Sequence, residues 1–212
     1  MVPDDASDTT AAVKNAKKLV PEDQVDLIRG PSLTTSSLAV LDIIVEARTP
    51  IISLAFSVRI IWPMDAKRHW LLETPQTDVQ MAYGIMKQAV ARGVKTIADI
   101  GKADTLGEAF YAEVAKQAEA HGIQVASNER FNPRDTSMVG QALKIIAAKS
   151  DAVAIGSAGT PAAVPPKTLV ERGYKGVIHH NHGVGSSDSR VPKGVRRHLP
   201  ARQPGNRRCP TA

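Results

Sequence analysis

The chain has 212 residues, 42% of them hydrophobic and only 4% aromatic, with a formal net charge of +6 and a single cysteine. That length accommodates one large or two small α/β units, the lone Cys209 excludes an internal disulfide and any cysteine-based zinc site, and no apolar run reaches the ~18 residues of a membrane span. The charge does not describe a nucleic-acid face. Residues 184–212 hold seven Lys and Arg and one acidic residue, which leaves 20 basic and 20 acidic groups in the rest of the chain, so no specific nucleic-acid partner is predicted.

The opening MVPDDASDTT has neither the basic n-region nor the apolar h-region of a secretory signal. A capped helix over 9–19 is predicted next, then a strand over 25–28, a helix over 35–47 and a strand over 51–55. The step Thr49-Pro50 closes that helix, because the residue before a proline is pushed out of the α region. Residues 57–77 break the rhythm with Pro63, Pro75 and a short strand-like Trp70-Leu71-Leu72, and read as a crossover between two units.

A second series follows: helix 78–92, strand 94–100, helix 105–121, strand 123–127, helix 136–149, strand 152–155, a Pro-rich helix around 167–172 and strand 177–179. Gly93 and Gly122 stand where helices end. Val139, Leu143 and Ile146 form the predicted apolar stripe of one helix, and Met81, Tyr83 and Met86 are expected to pack the face of another. Strands alternating with helices imply right-handed crossovers and parallel sheets. The fold class is therefore α/β, as two Rossmann-like lobes: a first lobe over 1–77, a second over 78–183, and a basic Pro- and Arg-rich tail over 184–212 that lacks the periodicity to join a core.

Two strand ends carry the functional signal. Gly30-Pro31-Ser32-Leu33-Thr34 follows the first strand and Ser53-Leu54-Ala55-Phe56-Ser57 the second. In a parallel sheet both fall on the carboxyl edge, where open α/β sheets bind small ligands. Hydroxyls and backbone N–H groups there suit a carboxylate or other polar head, with no base or nucleophile partner beside them, so the expected role is to hold a small molecule unchanged and not to act as an enzyme. No cofactor is predicted.

Other motifs carry less. In His179-His180-Asn181-His182 alternate side chains leave a strand on opposite faces, which puts only His180 and His182 together, and a ligand-cleft His is preferred over a metal site. The turn Gly101-Lys102-Ala103-Asp104-Thr105-Leu106-Gly107 lacks phosphate-loop spacing, and Asp104 or Thr105 is read as a helix cap. Gly156-Ser157-Ala158-Gly159-Thr160 is a strand-end turn lining the cleft. No GxSxG elbow surrounds Ser53, Ser57 or Ser157. Arg29 and Asp99 are charges inside apolar strands, which mark either relaxed constraint or strand ends that reach water.

Taken in order, DDASDTTAAVKNAKKLV, GPSLTTSSLAV, EARTPIISLAFS, WLLETPQTD, ARGVKTIADIG, ADTLGEAFYAEVAKQAEAHGIQV, DTSMVGQALKIIAAKSDAV and ERGYKGVIHHNHGV resemble the branched-chain amino-acid (Leu/Ile/Val-type) substrate-binding proteins of bacterial ABC importers. The resemblance runs over about 4–184 and implies the type I periplasmic-binding fold, incomplete at both ends: the first strand and the export signal are expected to be missing, and the tail resembles translation in a shifted frame. It implies a small-molecule ligand (amino acid, amide or organic acid), a membrane ABC permease as partner, a monomer, and a periplasmic location by family, although the chain as written would stay in the cytoplasm.

The resemblance also places the ligand's carboxylate at Thr34, Ala55 and Ser57, with Leu106, Thr160 and His182 closing from the second lobe. Family members often carry Tyr where Leu106 stands. They carry an acidic residue near the position of His182 to receive an ammonium group, so an amide, organic acid or aromatic acid becomes the expected ligand. The alternatives are a ligand-sensing domain of a regulator with the same fold, a nucleotide-dependent enzyme, or a fragment without function.

Overall fold

The computed structural model describes residues 2–132, 134, 135 and 137–184; the expected tail beyond Val184, Cys209 included, lies outside them. Within them the chain forms two all-parallel sheets. The first sheet has the order β1 (Ile28–Arg29), β2 (Ile51–Ser53), β3 (Leu71–Glu73). The second has four strands, in the order β5 (Gln124–Phe131), β4 (Thr96–Lys102), β6 (Ala152–Gly156), β7 (Val177–His180).

In the first lobe, α1 (Thr9–Lys17) starts at Asp8, whose carboxylate accepts from the Ala11 N–H at 2.9 Å. Ala12 and Ala16 face Val40, Leu41 and Ile44 in one small core under Ile51 and Leu71. The helix expected over 35–47 is two: α2 (Thr34–Ala39) and α3 (Leu41–Glu46), separated at Val40. Ser37 explains part of the break, since its hydroxyl donates to the Leu33 carbonyl four residues back at 2.9 Å, a bond that competes with the helix ladder and bends it. β2 is also shorter than expected, because the Leu54 N–H leaves the ladder for the Pro31 carbonyl at 3.0 Å. The short α4 (Val58–Ile61) follows.

Residues 57–77, read from sequence as a crossover, also supply α4 and the strand β3, which pairs parallel with β2. The chain then enters α5 (Asp78–Ala91), capped by Thr77 and Gln80 in a reciprocal capping box. Helices cover both faces of the second sheet. On one, α5 and α6 (Thr105–Ala120) bury Ala82, Met86, Phe110 and Val114; on the other, α7 (Val139–Ala147) and α8 (Val164–Glu171) bury Met138, Ala142, Ile145 and Leu169. Asp104 caps α6 by accepting from the Gly107 N–H at 3.0 Å. A Cβ on Gly107 would run into the backbone of Lys102, so glycine is what lets the helix start against the strand.

Three further sequence readings need correction. The buried stripe of α7 is Met138, Ala142 and Ile145, not Val139, Leu143 and Ile146: Leu143 is 52% exposed and Ile145 fully buried. Periodicity alone fits either register, and contact with Val153, Ile155 and Leu169 decides it. Tyr83 likewise points outward, against His121, while Met86 is buried. Asp99 does not reach water. It is fully buried in the middle of β4, 3.2 Å from the Arg130 guanidinium, which also grips Glu108 at 2.6 Å and lies over the Tyr111 ring. That network is why β5 runs on through the polar Asn128-Glu129-Arg130 instead of stopping at 127. Arg29 does end β1 and is exposed. Among the described residues no helix is long and apolar enough to cross a membrane.

Candidate ligand-binding site

Parallel pairing sets the carboxyl ends of β1 and β2 side by side, with Arg29 opposite Ile52. The turns that follow carry the predicted hydroxyls. Thr34 is 2% exposed and its Oγ1 is buried without a hydrogen-bond partner, as is Ser36 Oγ. The Ala55 N–H donates to Ser53 Oγ at 3.1 Å, and Ser53 Oγ in turn meets Ser37 Oγ at 2.9 Å. Ser57 is fully buried and its hydroxyl donates to Asp78 Oδ2 at 2.9 Å. Of these first-lobe groups, Thr34 Oγ1 and Ser36 Oγ keep both proton and lone pairs uncommitted.

Asp78 is the residue that sequence reasoning missed here. It is fully buried at the first turn of α5, accepts from Ser57 Oγ and from the Val58 N–H at 2.9 Å each, and donates its own N–H to the Phe56 carbonyl at 2.9 Å. A carboxylate suits a helix N-terminus, where the free N–H groups and the dipole favour negative charge. The same side chain thus ties the first lobe's β2 turn to the start of the second lobe. An Asp directly after the Thr77 cap was the available signal.

From the second lobe, Leu106, in the first turn of α6, is 3% exposed and packs with Phe56 and Ala158, with Leu33 beside them. Thr160 opens the turn Thr160–Ala163 after β6; its side chain lies outside the description. His182 follows β7 and stacks on Phe56, with ring centroids 4.2 Å apart at 60°. Neither imidazole nitrogen has a hydrogen-bond partner. Burial pushes its pKa down, and only the nearby Asp78 charge acts the other way, so the ring is neutral near pH 7. Gly183 lets the backbone reach this place, since a Cβ would stand 2.9 Å from the Phe56 ring.

A cavity of about 900 Å³ opens here, lined at the interlobe end by Leu33, Phe56, Ala158, Gly159, His182 and Gly183, and running past Arg29 and Gly30 to Ala12, Ala16 and Leu19 of α1. Of the six predicted residues His182 lines it, while Thr34, Ala55, Ser57 and Leu106 are buried and are not part of its lining. Its lining combines apolar side chains with an imidazole (His182), a guanidinium (Arg29) and, toward the α1 end, the carboxylates of Asp4 and Asp5. Ser57 is bonded to a carboxylate rather than to an imidazole, and Ser157 Oγ has no partner. Among the described residues no group of three or more His, Cys, Asp or Glu side chains is placed to hold a metal ion.

The periplasmic binding protein family matches residues 1–190. The solved structures this chain resembles include the following three. An extracellular ligand-binding receptor from Rhodopseudomonas palustris HaA2 is 43% identical, with a TM-score of 0.85 over 88% of this chain and 52% of that one. A solute-binding protein of an R. palustris ABC transporter, in complex with 4-hydroxybenzoate, is 22% identical with a TM-score of 0.76 over 86% and 49%. A leucine-binding protein from Thermotoga maritima MSB8 is 19% identical with a TM-score of 0.78 over 85% and 51%; these last two establish the fold alone. No curated protein matches. The chain spans about half the length of these solved structures. Two all-parallel sheets, a cavity at their carboxyl edges and a family match over most of the chain give one conclusion: this chain belongs to the periplasmic binding protein family and has its type I fold.

Proposed function

We propose that this chain is the ligand-holding part of the solute-binding component of an ABC importer, acting in the periplasm as a monomer and presenting its closed, loaded form to a membrane permease. The observation that carries the reading is the Phe56–His182 contact, which joins the two lobes across the cavity. A ligand that touches both lobes selects the closed state, because those contacts exist only there. We assign Thr34, Ala55 and Ser57 to the first-lobe side of the site and Leu106, Thr160 and His182 to the second, with His182 lining the cavity itself and the division between lobes near residue 77.

The ligand is a small organic acid or amide rather than an ordinary α-amino acid. A neutral imidazole at His182 offers no fixed negative charge to an ammonium group. Asp78, the buried carboxylate nearby, already holds Ser57 and Val58. The 4-hydroxybenzoate held by the R. palustris transporter protein belongs to the favoured class. Leucine, named for the T. maritima protein, is the comparator.

A thermal-shift panel of the 212-residue chain with amino acids, amides and aromatic acids tests this. A ligand at 100 times its Kd stabilises by about 2.7 kcal/mol, which raises Tm by roughly 5–10 °C at this size. At least one acid or amide is expected to do so. A flat response across the panel, or a response to leucine alone, overturns the assignment.

A further inference from the structure

The binding reading leaves one thing unsupplied: the positive charge that a ligand carboxylate needs when it leaves water. An ionised carboxyl group moved into a closed cavity is costly unless it is paired and hydrogen-bonded. The hydroxyl-rich turns after β1 and β2 meet that need poorly. Ser57 spends its proton on Asp78, whose carboxylate stands directly behind it and repels a second anion, and the Ala55 N–H is spent on Ser53.

Arg29 stands in the same cavity. It ends β1 on the carboxyl edge of the first sheet, next to the Gly30 turn, and shares the cavity lining with Leu33, Phe56 and His182. It takes part in none of the ion pairs among the described residues. Two carboxylates, Asp4 and Asp5, also border the cavity, toward its α1 end. Each accepts from a backbone N–H two residues on, Ala6 at 2.8 Å and Ser7 at 2.9 Å, and neither reaches Arg29. The lining therefore offers an unpaired guanidinium fork at Arg29, apolar and aromatic surface in Leu33 and Phe56, and an uncommitted imidazole at His182 against Phe56.

We propose that Arg29 binds the ligand's carboxylate, and that the ligand is an aromatic or similarly flat organic acid whose body lies against Phe56 and whose far end carries a hydrogen-bonding group for His182. This rests on the binding reading above and goes further by naming the charge partner and the order of groups along the ligand. A guanidinium presents parallel N–H donors that fit both oxygens of a carboxylate, which an ammonium does not.

Isothermal titration of the chain with 4-hydroxybenzoate and with 4-hydroxybenzamide, repeated on Arg29→Met and Arg29→Lys, tests it. Arg29 is exposed, so each variant should melt with the parent. The parent is expected to bind the acid at least ten times more tightly than the amide, with acid affinity falling as salt rises. Arg29→Met should lose about tenfold for the acid and nothing for the amide, and Arg29→Lys should fall between. Equal acid binding by parent and Arg29→Met overturns the role of Arg29, as does tighter binding of the amide by the parent, and either result leaves the binding reading standing. Failure of the parent to bind either compound overturns this proposal, while a response to other acids or amides in the thermal panel would still support the broader reading.

Discussion

Removing the Asp78 carboxylate should cost more stability than any change on the surface of this chain. Asp78 is fully buried and accepts from the Ser57 hydroxyl and the Val58 N–H at 2.9 Å each, with a further bond from the Val79 N–H at 3.1 Å. Hydrogen bonds to a charged group contribute about 1.5–3 kcal/mol each. Asp78→Ala removes the two bonds that cross to the β2 turn and strands a fully buried hydroxyl, for a loss of about 3–5 kcal/mol. Total stabilities are about 5–15 kcal/mol, so the midpoint should drop by roughly 6–20 °C. Asp78→Asn keeps Oδ1 for Val58, and its amide can donate to a rotated Ser57 hydroxyl, so about 1–2 kcal/mol is expected. Urea unfolding followed by far-UV circular dichroism gives both numbers. If Asp78→Ala costs less than about 1 kcal/mol, or if Asn is as damaging as Ala, the link between the lobes is not the one described.

Two further outcomes follow from burial and charge. Burial pushes the Asp99 carboxyl up to about 8 although Arg130 pulls it down. Its folded value lies above the ~3.9 of an unfolded chain, so the folded state holds the proton more tightly and the Asp99 contribution to stability falls as pH rises from about 4 to 8; the difference in stability between Asp99→Asn and the parent, measured by urea titration at several pH values, should grow in favour of Asn over that window, and a difference independent of pH refutes it. On α7, Ile145→Ala should cost about 2–5 kcal/mol and Leu143→Ser less than about 0.5 kcal/mol, by the same unfolding assay; the reverse order would restore the stripe read from periodicity.

The sequence alone determined the α/β rhythm, the parallel connections and the placing of hydroxyl-rich turns after the first two strands, because these follow from local periodicity, helix caps and breakers; it did not show that β3, inside the stretch read as a crossover, pairs with β2. It also identified the family, through the order of many weakly informative segments. Tertiary structure decided what local signals leave open. The register of α7 depends on which face meets Val153, Ile155 and Leu169, and the extension of β5 through Asn128-Glu129-Arg130 depends on Asp99 and Glu108 lying across from Arg130. The site shows the difference most clearly. Ser57 is a free hydroxyl in sequence, but in the fold its proton goes to Asp78, 21 residues away. Phe56, flanked by residues chosen for their polarity, proves to be the one that meets His182. Hydrogen-bond partners far apart in the chain are fixed by packing, and packing is what a one-dimensional pattern does not contain.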